Sequence, residues 1–158
     1  FSFPHGTHLC ATEVDTETGF VAIRSYVAVD DVGVVVNPLI VEGQVHGGIA
    51  QGIAQALYEE GVYDDAGNLV TATLADYLVP SAADLPSYTT ARTASPATNR
   101  LGVKGVGEAG TIASTPAVVN SIIDALRPLG VSDITMPCTP ERVWRAIQDA
   151  SATTGGAA

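Results

Sequence analysis

Charge is scarce in this sequence, and most of it is negative. Only 15% of the 158 residues are charged, against about a quarter in a typical soluble domain. Seven basic residues stand against seventeen acidic ones, for a net charge of −10. A chain with so few cations lacks the basic face that nucleic acid and anionic membranes require, which argues against both as partners. No apolar run reaches membrane-spanning length, because Glu42, Gln44 and His46 interrupt the best candidate. The chain does not open on a basic region and a long apolar stretch, so no signal peptide is expected. It also lacks an initiating Met, which predicts a piece cut from something longer. Cysteine is limited to Cys10 and Cys138, without C-x-x-C spacing. They read as free thiols of a reducing cytoplasm, with a single disulfide as the alternative.

What the sequence has in plenty is small apolar residues. At 46% hydrophobic, the chain can bury one real core. Either its faces are buried by a larger protein, or it is an Ala- and Val-rich domain of its own. Residues 7–15 and 20–31 read as two antiparallel strands around a turn at Thr16–Gly19, with Val21, Ile23, Val27 and Val29 on one face of the second. Asn37-Pro38 reads as an N-cap with proline in the first helical position, opening a helix to about Glu60. Val45, Ile49, Ile53, Ala56 and Leu57 form its apolar arc; Gln44, Gly47, Gly48, Gln51 and Gln55 lie opposite, with no charge among them. Further strands are expected at Leu69–Tyr77 and Tyr88–Ala94. Helices are expected from Thr115-Pro116 and from Thr139-Pro140. The order of elements predicts an α+β fold over residues 1–150, with a disordered tail at 151–158.

Two segments are chemically odd. Gly105, Gly107 and Gly110 spell G-x-G-x-x-G, yet the parallel strand that should lead into a dinucleotide fingerprint is missing, and the next helix signal waits until Thr115. Within that loop Glu108 is the only acid between Asp84 and Asp124, and its neighbours are Gly, Val and Ala. Burial of such a carboxylate would disfavour its charged form, which suits general-base work. The alternatives are a solvated surface Glu, or one paired with Lys104 or Arg100. The second oddity is the helix with Gly43, Gly47, Gly48 and Gly52. Each glycine costs roughly 1 kcal/mol relative to Ala inside a helix, so close approach of another backbone or a ligand is expected. His5, His8 and Cys10 could be metal ligands, but no fourth ligand is evident and none is assigned. Glu42 and His46 read as a pair within one helix.

Together, NPLIVEGQVHGGIAQGIAQALYEE (37–60) and LGVKGVGEAGTIASTPAVVNSIIDAL (101–126) closely resemble the molybdenum hydroxylases, the group of xanthine dehydrogenase, aldehyde oxidase and carbon monoxide dehydrogenase-like large subunits. GTHLCATEVD and MPCTPERVWRAI extend the resemblance over residues 5 to about 149. It implies that residues 1–150 are the C-terminal lobe of a molybdopterin-binding region: two layers, a mixed sheet of about four strands covered by two to three helices. It further implies oxidative hydroxylation of an aldehyde, an N-heterocycle or carbon monoxide with water-derived oxygen, with Glu108 as general base. Gly43, Gln44, Gly105, Val106 and Gly107 would touch the molybdenum–molybdopterin cofactor, in its cytosine dinucleotide form in a bacterial enzyme. The chain itself would supply no ligand to the metal. The implied partners are the N-terminal part of the same subunit, the domains or subunits that carry FAD and 2Fe-2S, and a small-molecule substrate. No cofactor is expected on the isolated chain, since part of the site would lie before Phe1. A stand-alone non-catalytic domain with this fold is the alternative.

Overall fold

The computed structural model describes residues 2–155, with side chains through residue 152. β1 (His5–Val14) and β2 (Val21–Asp31) form an antiparallel hairpin, and β3 (Tyr88–Thr93) runs parallel to β2, so the order is β1-β2-β3. α1 (Pro38–Leu57), α2 (Ala109–Leu126) and α3 (Pro140–Gly155) complete an α+β fold with a mixed sheet. His8, Cys10, Thr12 and Val14 point toward the helices, whereas Thr7, Leu9, Ala11 and Glu13 face away and are exposed. One core joins Tyr26 and Ala28 of the sheet to Val45, Ile49 and Ile53 of α1, to Val118 and Ile122 of α2, and to Val143 and Ile147 of α3. The apolar arc expected on α1 is buried throughout. Burial of each Val, Ile or Leu among them is worth about 1.5–3 kcal/mol.

The face of β2 differs from simple alternation. Ala11 pairs with Ser25 and Thr12 with Ile23, so Arg24 is an extra residue in the ladder. This bulge shifts the phase by one. Before it, Val21 and Ile23 pack on the core; after it, Tyr26, Ala28 and Asp30 do, and Val27 and Val29 are only half-buried. The expected shared face of Val21, Ile23, Val27 and Val29 is therefore split.

Three further expectations need correction. Leu69–Tyr77 is not a strand, which leaves three strands rather than about four among the described residues. Only an isolated bridge joins Tyr63 to Leu69. Beyond it the Thr73 hydroxyl bonds Asp76 and accepts from the Ala75 N–H, and the Thr73 carbonyl accepts from Asp76 and Tyr77. Such local bonds offer the backbone a turn in place of a ladder. The second helix opens at Ala109, six residues ahead of Thr115, and carries Pro116 inside it. The third continues through Gly155, past the point where a tail was expected, and Ser151 Oγ bonds the Ile147 carbonyl one turn back. Residues 156–158 of that expected tail lie outside the described ones.

Candidate functional site

Asn37 caps α1 as its sequence predicts, its Oδ1 accepting from the N–H groups of Leu39 (3.1 Å) and Ile40 (3.2 Å). The glycines that follow divide into two sets. A methyl group on Gly48 would lie 2.9 Å from the Thr111 nitrogen, and one on Gly52 would strike Ser114 Oγ. Gly110 answers from α2, where a methyl group would strike the Val45 carbonyl. These three let the helices touch backbone to backbone. Thr111 Oγ1 then donates to the Gly48 carbonyl at 3.1 Å, and Thr115 Oγ1 to that of Gly52 at 3.2 Å. The close-approach reading of a glycine-rich helix thus holds, with a helix as the partner.

Gly43 and Gly47 belong to the other set, as do Gly105 and Gly107: a methyl group on any of them would meet nothing within 4 Å. The α1 pair carries the helix-propensity cost with no packing reason among the described residues. Beside them Gln44 Nε2 donates to the Gly107 carbonyl at 2.7 Å, which ties the start of α1 to the loop before α2. Gly43, Gln44, Gly105, Gly107 and Glu108 are all exposed, and Val106 is half-buried against the core. The structure therefore gathers the expected site residues at one place, around an open, uncharged surface of backbone and amide with one carboxylate at its edge.

That carboxylate is Glu108, the N-cap residue of α2. Its carbonyl accepts from Thr111 and Ile112, while its side chain caps nothing. Among the described residues the Glu108 side chain has no hydrogen bond or ion pair. Lys104, offered by the sequence as a partner, is turned the other way. Its Nζ lies 2.8 Å from both Asp31 Oδ1 and Ser95 Oγ. The loop does open a helix, as a dinucleotide fingerprint requires, but Val103 before it makes only an antiparallel bridge to Gly33, and no parallel strand leads in.

Other polar clusters lie in the layer between sheet and helices. His8 is buried, with Nδ1 2.8 Å from Tyr26 Oη and Nε2 3.4 Å from Asp30 Oδ1. Burial pushes the Tyr26 hydroxyl well above its usual range. Cys10 is a free thiol raised by burial, with Ser121 opposing the shift, and His5 lies 3.9 Å from Asp31 Oδ2. No metal-holding cluster of His, Cys, Asp or Glu occurs among the described residues. His46 Nε2 approaches Glu42 Oε1 to 3.1 Å, the expected pair within α1, though off the hydrogen-bonding direction. Glu42 also accepts from the Thr90 hydroxyl of β3. A concavity of about 620 Å³ lies between α3 and residues 130–135, and none of the candidate residues lines it. Among the described helices, none is long and apolar enough to cross a membrane.

A family described as the molybdopterin cofactor-binding domain matches residues 1–86, a stretch that includes Gly43 and Gln44 and ends before Gly105. Over 150 residues the chain is 37% identical to the carbon monoxide dehydrogenase large chain of Hydrogenophaga pseudoflava, covering 94% of this chain and 19% of that one. It is 43% identical over 145 residues to the nicotine 6-hydroxylase large subunit of Paenarthrobacter nicotinovorans, covering 91% and 18%. Among solved structures, a Cu,Mo-CO dehydrogenase superposes with a TM-score of 0.90 at 35% identity, over 93% of this chain and 19% of that one. The quinoline 2-oxidoreductase of Pseudomonas putida 86 superposes with a TM-score of 0.88 at 45% identity, over 91% and 18%. The chain thus spans about a fifth of the length of the relatives it matches.

Proposed function

The chain belongs to the molybdopterin cofactor-binding domain family of the molybdenum hydroxylases, and we propose that it is the C-terminal lobe of such an enzyme's large subunit, with Glu108 as general base. The observation that carries this reading is the pairing of an unpartnered carboxylate with glycines that face open space. Gly43 and Gly47 are costly in a helix and gain no packing for it within the described residues. A bulky, polar cofactor against that surface gives them a reason. Neutral amides such as Gln44 fit its hydrogen-bonding edge, since an amide both donates and accepts. Gly105, Val106 and Gly107 would border the same group.

When bound, molybdenum–molybdopterin supplies the two-electron redox chemistry of an oxidative hydroxylation with water-derived oxygen. What this chain adds is a proton acceptor. Glu108 stands at the start of α2, where its carboxylate can move off the loop surface without breaking any side-chain bond of its own. It is exposed here, so the dry surroundings that make a carboxylate an effective base have to come from the cofactor and from the N-terminal part of the subunit. In this reading 2Fe-2S clusters and FAD on other domains or subunits would take up the electrons, the enzyme would be cytoplasmic, and its pterin would carry cytosine dinucleotide if the source is bacterial. The substrate class is an aldehyde, an N-heterocycle or carbon monoxide, taking in the carbon monoxide and nicotine named for the relatives.

Glu108→Gln in the complete enzyme tests the base. The amide is nearly isosteric, so molybdenum content should stay at the wild-type level. Reduction of the enzyme by substrate, followed by rapid mixing, should slow by roughly 10²–10⁴-fold. Electron transfer onward to the flavin should not change. A variant with full cofactor content and near-normal reduction by substrate would make the carboxylate structural.

A further inference from the structure

We propose that Lys104 is a positioning residue: with Asp31 and Ser95 it clasps the loop 95–108 to the end of β2 and so fixes where Glu108 stands. The inference rests on the reading of Glu108 as the base. It starts from a closed ring of bonds. Lys104 Nζ donates to Asp31 Oδ1 and to Ser95 Oγ, each at 2.8 Å. The Ser95 hydroxyl donates a hydrogen bond to Asp31 Oδ2 at 2.7 Å, and the Ser95 N–H donates to the same oxygen at 2.7 Å. The Gly33 N–H, at 2.9 Å, completes the set on Oδ1. Each carboxylate oxygen thus accepts two hydrogen bonds, which fills the acceptor capacity of the group. The backbone repeats the attachment, because the Lys104 N–H donates to the Val32 carbonyl at 3.0 Å and the Val34 N–H to that of Gly102 at 2.9 Å.

The pair is buried, with 9% of the Lys104 side chain and 3% of the Asp31 side chain exposed. Buried ion pairs are rarely the most stable filling for a core position, since two apolar side chains often serve as well or better. What an ion pair with a full set of hydrogen bonds supplies is a fixed geometry. The need for one here is local. Between Lys104 and Ala109 the loop contains Gly105 and Gly107, where a methyl group would meet nothing within 4 Å, and Val106 is the residue that reaches the core. The setting of Glu108 is therefore governed by four attachments: the start of α2, the Gln44 bond to the Gly107 carbonyl, the packing of Val106 on Val32, Val41 and Ala109, and the clasp four residues upstream. Of these, the clasp is the one that bonds the loop to a polar side chain of β2.

Hydrogen–deuterium exchange and steady-state kinetics on the complete holoenzyme test the clasp together. Lys104→Met should speed exchange at the hydrogen-bonded amides of Ser95, Ala97, Gly102, Val103 and Lys104 by about tenfold or more, while the β1–β2 hairpin keeps its protection. The loosened loop should lower kcat by about tenfold or more, with KM and molybdenum content unchanged, since misplacing a reacting group by an ångström has effects of that order. Lys104→Arg, which keeps the charge and the donors, should recover most of both. If Lys104→Met does not accumulate, Ser95→Ala removes the hydroxyl without unpairing a charge, and should shift exchange and kcat in the same direction by a smaller factor. Unchanged exchange over 95–104 in these variants overturns the proposal. So does faster exchange with normal kcat in an enzyme that Glu108→Gln disables; that result removes the clasp and leaves the base standing. Normal kcat in both Lys104→Met and Glu108→Gln removes the base and the positioning role together.

Discussion

Asp31 shows how much a single residue can carry without announcing itself. The Lys104 ammonium holds its carboxyl well below the usual carboxylate range, Ser95 and the Gly33 and Ser95 N–H groups add to this, and burial opposes them. A depressed carboxylate contributes stability that is fully present above the unfolded value, about pH 4, and is lost as the pH falls through the folded value. The acid limb of unfolding should therefore steepen on account of Asp31. Denaturant midpoints followed from pH 7 to pH 2 should show Asp31→Asn less stable than wild type at neutral pH, with the gap narrowing as the pH falls below about 4, where unfolding of the wild type takes up a proton that the folded carboxylate does not hold. A gap that stays constant over the whole range would mean that the carboxylate is not charge-coupled to the fold. Glu108 could be singled out in the sequence because its isolation is a local property. Asp31 could not, since Lys104 lies 73 positions away and Ser95 64, and no period connects them.

At the level of elements, much of α1 is written in its sequence: the Asn37 cap, Pro38, and an apolar arc that is buried at every expected position. What periodicity cannot convey is which neighbour each glycine meets. Gly48 and Gly52 answer to α2, and that contact also explains the early start of α2. Ala109, Gly110 and Ser114 are buried against α1, so tertiary packing extends the helix seven residues ahead of Pro116, whose sequence signal marks a first turn. Likewise the bulge at Arg24 reverses the face of β2 with no Gly or Pro to mark it. The division of the glycines gives a paired prediction. Gly47→Ala has open space and should stabilise the chain by up to about 1 kcal/mol through helix propensity. Gly52→Ala drives a methyl group into Ser114 Oγ and the Thr115 nitrogen at 2.9 Å, and should destabilise by about 1–3 kcal/mol. In the complete enzyme the first should nonetheless lower molybdenum content, because the methyl group stands where the cofactor is proposed to lie. Thermal unfolding of the chain and metal analysis of the enzyme read the two effects separately. A Gly47→Ala enzyme with full molybdenum would remove Gly47 from the cofactor surface.

Taken whole, the molecule leaves apolar surface that its own elements do not cover. Val36, Leu39 and Ile40 are 76%, 82% and 65% exposed at the start of α1, and Leu101 and Ile112 are each 68% exposed. Near the first three runs a shallow groove of about 200 Å³, lined by Val32, Val34, Ile40, Val41, Val103 and Val106. Exposed apolar area beside an apolar groove of this kind marks a surface made to be covered. In the enzyme proposed above, the N-terminal part of the same subunit would cover it; in the isolated chain only a second copy can. The net charge of −10 opposes that encounter, and salt screens the repulsion while leaving apolar burial intact. The purified chain should therefore self-associate, and more strongly at high salt than at low. Leu39→Gln combined with Ile40→Gln should weaken the association without changing the helical content, because both side chains already face outward. Light scattering over a concentration series at two salt levels decides the matter. Association that weakens as salt is added would point to charge pairing in place of apolar contact, and a strict monomer at both salt levels would show that this surface needs no cover.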